Sequence, residues 1–183
     1  VMYGMGYKKL AVDLDISPKE AKAMLAQFRE KVPFMQGMLE AVMHRANKVG
    51  SIRTYLGRRC KFDLWEPNWF EMDPVTKQPV FHKALPHNEA VVKWGGAIKR
   101  AGTYKALNRL IQGTAADQTK KAMVDIYEKL NLIPLIQVHD ELNCSVKSDI
   151  MAGEIKDIME NCVKLEVPTK VDYKTKANWG DAK

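Results

Sequence analysis

Leu132-Ile133-Pro134-Leu135-Ile136-Gln137-Val138-His139-Asp140-Glu141-Leu142-Asn143-Cys144-Ser145-Val146 is the stretch on which the fold turns. Residues 132–138 are apolar but for Gln137, and the run is short enough for a buried strand rather than a helix. Residues 142–146 supply a hairpin partner, with His139-Asp140-Glu141 at the tip. A strand held in a sheet is a rigid mount, so a carboxylate at its end has little freedom to move. Hard divalent cations such as Mg²⁺ take oxygen ligands and bind through one or two carboxylates plus substrate phosphates. Two such ions can clamp the attacking and leaving oxygens of an in-line displacement. A site of that kind needs a second strand-borne aspartate. Asp63, Asp73, Asp117, Asp125 and Asp149 are the candidates, and none follows a comparable apolar run. Taken alone, Val138-His139-Asp140-Glu141 also reads as a polar hairpin turn.

Upstream, the spacing predicts a long helix over about 101–130, after the Gly95-Gly96 interruption. Tyr104, Asn108 and Gln112 recur every four residues and share one side of it, flanked by Lys105 and Arg109. Gly113, Ala115 and Ala116 are small and let another backbone or a nucleic acid come close. Amide side chains donate and accept, which suits minor-groove acceptors common to all base pairs. The alternative is that Asn108 and Gln112 satisfy neighbouring backbone.

The remainder supplies the frame. Ser17-Pro18-Lys19-Glu20 is a capping box with proline at the first helical position. Ala21, Met24, Leu25 and Phe28 continue it at helical spacing, and Pro33 ends or bends the helix. A second helix over 34–48 stops at Val49-Gly50. Residues 51–62 read as a ribbon turned at Gly57. Residues 63–88, with four prolines and Trp65, Trp69 and Phe70, read as an ordered loop or insertion pinned by its aromatics. A helix over 149–165 and a strand over 167–173 close the chain. Helices around a few strands indicate α+β, mainly helical with a small antiparallel sheet, rather than alternating βαβ.

At 183 residues the chain can bury roughly 70% of its unfolded surface, enough for a real core. With 46% hydrophobic and 28% charged residues it is neither disordered nor collagen-like. Cys60, Cys144 and Cys162 are odd in number and lack C-x-x-C spacing, which argues against a disulfide scaffold or zinc ribbon and for a reducing interior. No run approaches the ~18 apolar residues of a membrane span, and the first residues do not read as a signal peptide. The start at Val1-Met2-Tyr3-Gly4, without an initiator methionine, fits a trimmed or partial chain.

The net charge is +7, unevenly spread. Residues 44–62 hold Arg45, Lys48, Arg53, Arg58, Arg59 and Lys61 and no acid; residues 90–116 hold Lys93, Lys99, Arg100, Lys105 and Arg109 and no acid. These 11 cations exceed the net charge, so everything outside the two windows is net negative. Acid-free basic windows suit a surface that neutralises phosphates, although solvated faces would look the same.

Three stretches resemble the DNA polymerase I type, family A of the DNA polymerases, in the family's order. They are Thr54-Tyr55-Leu56-Gly57-Arg58-Arg59, Asn108-Arg109-Leu110-Ile111-Gln112-Gly113-Thr114-Ala115-Ala116-Asp117 and Gln137-Val138-His139-Asp140-Glu141-Leu142. Tyr3-Gly4 resembles the end of the family's fingers helix, and Trp179 lies where the family's chain ends. The insertion with Trp65-Glu66-Pro67 and Lys83-Ala84-Leu85-Pro86 is similar to bacteriophage versions. The resemblance implies the C-terminal part of the fingers over 1–50, a ribbon and insertion over 51–100, and part of the palm over 101–183.

It implies roles as well. Asp140 would bind catalytic metal, Glu141 would support it, and His139 would touch the primer terminus. Asn108 and Gln112 would lie in the primer–template minor groove. Arg58, Arg59, Lys105 and Arg109 would hold DNA, and Tyr3 and Gly4 would sit near the nascent pair or templating base. The cofactor would be two Mg²⁺ ions, with one ligand set from an upstream aspartate that this sequence lacks. The nucleotide-binding residues of the fingers helix would also fall before Val1. The family often places an arginine four residues before the asparagine; here it is Tyr104.

The implied partners are primer–template DNA, a deoxynucleoside triphosphate and an upstream polymerase half, with no membrane. The implied location is the cytoplasm, that of a bacterial host for a phage protein. The chain alone is expected to be inactive. Two alternatives stay open: the palm of a single-subunit RNA polymerase, and a non-catalytic basic module that binds duplex DNA.

Overall fold

A computed structural model describes residues 5–182 of the chain, so Tyr3 and Gly4 lie outside the described residues. The chain divides into two compact units, residues 1–111 and 112–183.

The first unit begins with three helices, α1 (Tyr7–Leu14), α2 (Pro18–Lys31) and α3 (Pro33–Val49). The box at the start of α2 is complete: the Glu20 amide donates to Ser17 Oγ at 3.2 Å, and the Ser17 amide to Glu20 Oε2 at 2.9 Å. These bonds hold the Glu20 carboxyl below its usual range, the Ser17 contacts acting as both side chain and backbone. Pro33 starts α3 at the position where its missing amide costs nothing. Leu10 and Ala11 of α1 bury against Ala21 and Leu25 of α2. The sequence patterning did not reveal α1, which is only eight residues long.

Gly50 closes α3 in a left-handed conformation and hands the chain to β1 (Ser51–Arg53), which pairs antiparallel with β2 (Arg59–Lys61). Ala46, Ile52, Phe62 and Ala106 form the core beneath this ribbon. Residues 63–100 are more structured than the expected loop. They form a three-stranded antiparallel sheet of β4 (Leu85–Pro86), β3 (Leu64–Pro67) and β5 (Ile98–Arg100), with α4 (His87–Trp94) between β4 and β5. Of the expected aromatic pins, Trp65 serves as one, edge-on to His87 and covered by the Arg100 guanidinium at 4.7 Å. Trp69 and Phe70 do not; both are exposed.

Helix α5 (Ala106–Leu130) starts five residues later than expected, because left-handed Gly102 and a 3-10 turn, Thr103–Lys105, precede it. In the second unit follow β6 (Ile136–Val138), β7 (Glu141–Asn143) and α6 (Asp149–Asn161), the last capped by Ser148 Oγ. Ile126 of α5 packs with Ile155 and Ile158 of α6, and Leu132, Leu142, Cys144 and Val146 pack against them.

Two expectations here are corrected. The apolar run 132–138 is not a buried strand: only 136–138 is strand, and Ile133 and Leu135 are 67% and 70% exposed. Among the described residues β6 pairs with β7 alone, and its Ile136 and Val138 are 43% and 41% exposed. Residues 167–173 form no strand. Side chains satisfy them instead, Gln118 Nε2 donating to Thr169 Oγ1 at 3.0 Å and the Val171 amide to Glu160 Oε1 at 2.9 Å. Among the described residues no helix is long and apolar enough to cross a membrane.

Candidate active site

The register Val138↔Glu141, Gln137↔Leu142, Ile136↔Asn143 leaves His139 and Asp140 as a two-residue turn. So short a connection requires left-handed backbone, and His139 supplies it with φ 55°. The turn is braced from both strands. Gln137 Nε2 donates to the His139 carbonyl at 3.0 Å, and Asn143 Nδ2 donates to Glu141 Oε1 at 3.0 Å. Below it, Leu142 and Cys144 anchor β7 on the Ile126–Ile155–Ile158 core. Burial pushes the Cys144 thiol above its ordinary pKa, as expected for a thiol facing an apolar core.

The outcome is an exposed Asp140 carboxylate at the end of an anchored strand pair, with no hydrogen bond or ion pair among the described residues. Glu141 beside it is oriented by Asn143, and His139 completes the tip. The structure thus brings together His139, Asp140 and Glu141. The sequence reading had not given Gln137 or Asn143 a role. Their signal was a polar residue two positions from each end of the tip, in strands otherwise apolar.

An Mg²⁺ ion would meet oxygen donors here without displacing a protein partner. Among the described residues no group of three or more His, Cys, Asp or Glu could hold a metal by itself. Carboxylate oxygens of this kind are donors that Mg²⁺ takes, usually one or two together with substrate phosphates.

The remaining predicted residues fall in both units. In the first unit, Arg58 and Arg59 stand on the ribbon. Thr54 builds its turn: the Gly57 amide donates to the Thr54 carbonyl at 2.9 Å, and the Arg58 amide to Thr54 Oγ1 at 3.0 Å. Arg59 Nε donates to Ser51 Oγ at 3.3 Å. Arg109 lies over the Phe62 ring at 4.8 Å, with Nη1 3.4 Å from the Lys61 carbonyl. Lys105 lies 5.3 Å from the centre of the Tyr104 ring. Both cations keep exposed heads on ordered stems. Asn108 has its Oδ1 buried without a hydrogen-bond partner among the described residues. In the second unit, Gln112 is exposed on α5.

The sequence pattern of DNA polymerase family A matches residues 1–181. The chain belongs to DNA polymerase family A. A DNA-directed DNA polymerase of Pseudomonas phage M6 is 39% identical over 161 residues, covering 88% of this chain and 20% of that protein. The thermostable DNA polymerase I of Thermus filiformis is 30% identical over 190 residues, covering all of this chain and 20% of that protein. The POL domain of Pol1 from M. smegmatis, solved in complex with DNA primer-template and dNTP, superposes with a TM-score of 0.62 at 27% identity. It covers 91% of this chain and 26% of that one. The chain thus spans about a fifth of the length of the family A relatives it matches. The chain is α+β, mainly helical with small antiparallel sheets.

Proposed function

We propose that the chain contributes the C-terminal fingers and palm to template-directed DNA synthesis. Residues 1–50 would belong to the fingers, 51–100 to a ribbon and insertion, and 101–183 to the palm. The reaction is nucleotidyl transfer: a primer 3′-hydroxyl attacks the α-phosphorus of a deoxynucleoside triphosphate and pyrophosphate leaves. Bound Mg²⁺ supplies charge neutralisation for that step. The observation that carries the reading is the free Asp140 carboxylate on a braced, core-anchored tip. An oxygen ligand with no partner among the described residues suits a hard cation that must also accept phosphate oxygens.

Glu141, held by Asn143, supports Asp140 electrostatically rather than as an indispensable ligand. His139 faces the primer terminus. Asn108 and Gln112 read the minor groove without sequence preference; Gln112 is exposed on α5, and the buried Asn108 Oδ1 must turn outward to do so. Arg58, Arg59, Lys105 and Arg109 neutralise DNA phosphates. Tyr3 and Gly4, at the end of the fingers helix, lie near the nascent pair. The second metal-binding aspartate and the residues that bind the incoming nucleotide come from an upstream polymerase half. The reaction belongs in the cytoplasm, that of a bacterial host for a phage protein.

Primer extension tests this. The 183-residue chain alone should not extend a primer; chain plus a polypeptide carrying the upstream half should. Asp140→Asn should lower extension by roughly 100- to 1,000-fold, the usual loss for one preorganised electrostatic group, with duplex binding retained. Undiminished extension by Asp140→Asn would refute the assignment. Preference for ribonucleotides would transfer it to RNA synthesis.

A further inference from the structure

The insertion between β3 and β4 folds into a hairpin whose two faces differ. The Met72–Pro79 bridge and the bond from the Val80 amide to the Glu71 carbonyl, 3.0 Å, set one register. In that register Phe70 stands opposite Phe81, and Glu71 and His82 fall on the other face. The Glu71 face is fixed to the unit: Glu71 Oε2 meets His82 Nε2 at 2.9 Å, and the His82 ring packs edge-on to Trp94 of α4. The Phe face is not. Phe70 is 74% exposed and Phe81 91% exposed. Two exposed phenyl rings on one face of an anchored hairpin constitute an apolar platform.

The charges around it decide what the platform fits. Every carboxylate between residues 63 and 82 is already engaged within the unit. Asp63 pairs with Lys61 at 4.0 Å, Glu66 with Lys99 at 3.7 Å, and Glu71 with His82. Asp73 Oδ1 accepts the amides of Val75 and Thr76 at 2.8 and 2.7 Å, bonds that hold its carboxyl below the usual range. Lys77, at the hairpin end, and Lys83, just beyond Phe81, are exposed and have no ion pair among the described residues. Two exposed phenyl rings on one hairpin face, with uncommitted cations at the hairpin end and just beyond Phe81, match single-stranded DNA, whose bases stack and whose phosphates attract lysine. A protein partner with an apolar face would not call for the two free lysines.

We propose that the Phe70–Phe81 face is a binding platform for single-stranded DNA, with Lys77 and Lys83 neutralising its phosphates. This site is separate from the Asp140 tip and its test needs no polymerase activity, so it stands or falls apart from the function proposed above. The experiment is fluorescence anisotropy of the full chain with a labelled mixed-sequence 20-mer, single-stranded and as duplex. Phe70→Ala/Phe81→Ala should weaken single-strand binding about fivefold or more, the lower bound for losing one stacked base. Duplex affinity should not change. Phe70→Trp/Phe81→Trp should restore single-strand binding, which a merely structural role for the rings would not do. Lys77→Gln/Lys83→Gln should flatten the salt dependence of single-strand binding by about 0.7 per lysine. The proposal is overturned if the alanine pair leaves single-strand affinity intact, or weakens both forms equally. It is also overturned if sedimentation shows that the face joins two copies of the chain and the alanine pair abolishes only that.

Discussion

Gly50 to alanine should destabilise the first unit by an amount the structure allows to be divided. Gly50 ends α3 at φ 71°, and a Cβ there would stand 2.6 Å from Arg100 Cζ and 2.7 Å from Nη1. The guanidinium cannot move away freely. Its Nε donates to the Asn47 carbonyl at 3.1 Å and its Nη1 to the Phe62 carbonyl at 2.9 Å, while the group stacks over Trp65. A left-handed alanine costs about 1–2 kcal/mol. Breaking hydrogen bonds from a charged donor costs about 1.5–3 kcal/mol each when buried, and these are partly exposed, so one such loss is a fair figure. The total is about 2.5–5 kcal/mol, or a drop in Tm of roughly 5–20 °C for a chain of this size.

A double-mutant cycle, followed by thermal and urea denaturation, separates the two parts. With Arg100→Ala in place the clash disappears and Gly50→Ala should cost only the backbone share, about 1–2 kcal/mol. Equal costs in the two backgrounds would show that Arg100 is not the obstacle. A cost near zero in both would show that the Gly50 geometry itself is wrong.

Replacing Ser17 by alanine should cost about 0.5–2 kcal/mol by uncapping α2, seen as a lower urea midpoint. Glu20 has its folded pKa depressed by Ser17, so its contribution is present above the unfolded value and fades as pH falls through the lower folded one; an NMR titration of Glu20 that shows no depression would contradict the box. Glu160 is likewise depressed, chiefly by the Val171 amide and then by Lys156 and Lys170. Glu160→Gln, or acidification below the usual carboxylate range, should release residues 165–173 to limited proteolysis while α6 stays folded. At the hairpin, His139→Gly relieves a left-handed backbone and should keep the Leu135 amide, bonded to Asn143 at 2.8 Å, protected from exchange. The β-branched His139→Val should lose that protection; equal exchange in both variants would remove the strain argument.

What the sequence made legible was whatever local chemistry determines. The Ser17–Glu20 box, the Gly50 stop and the turn at Gly57 depend on neighbours within a few residues, and each is where the pattern put it, whereas the expected three-residue tip His139-Asp140-Glu141 tightens to two because Glu141 pairs with Val138. Features that depend on distant partners were hidden. Arg100 reads as one more cation in a basic window, yet it is tied to carbonyls 53 and 38 residues away. Trp65 and Phe70 read alike, but Trp65 has the Arg100 guanidinium over it and Phe70 is 74% exposed. The run 132–138 shows a further limit. Apolar spacing records the surroundings in which a strand is stable, whether or not those lie within the same 183 residues. Here Leu135, Ile136 and Val138 are exposed, and among the described residues β6 pairs with β7 alone. A sheet edge so apolar is a liability in water and an asset beside another strand. The exposed apolar residues of β6 and the Asp140 carboxylate thus lie on one and the same hairpin, which among the described residues is a sheet of two strands.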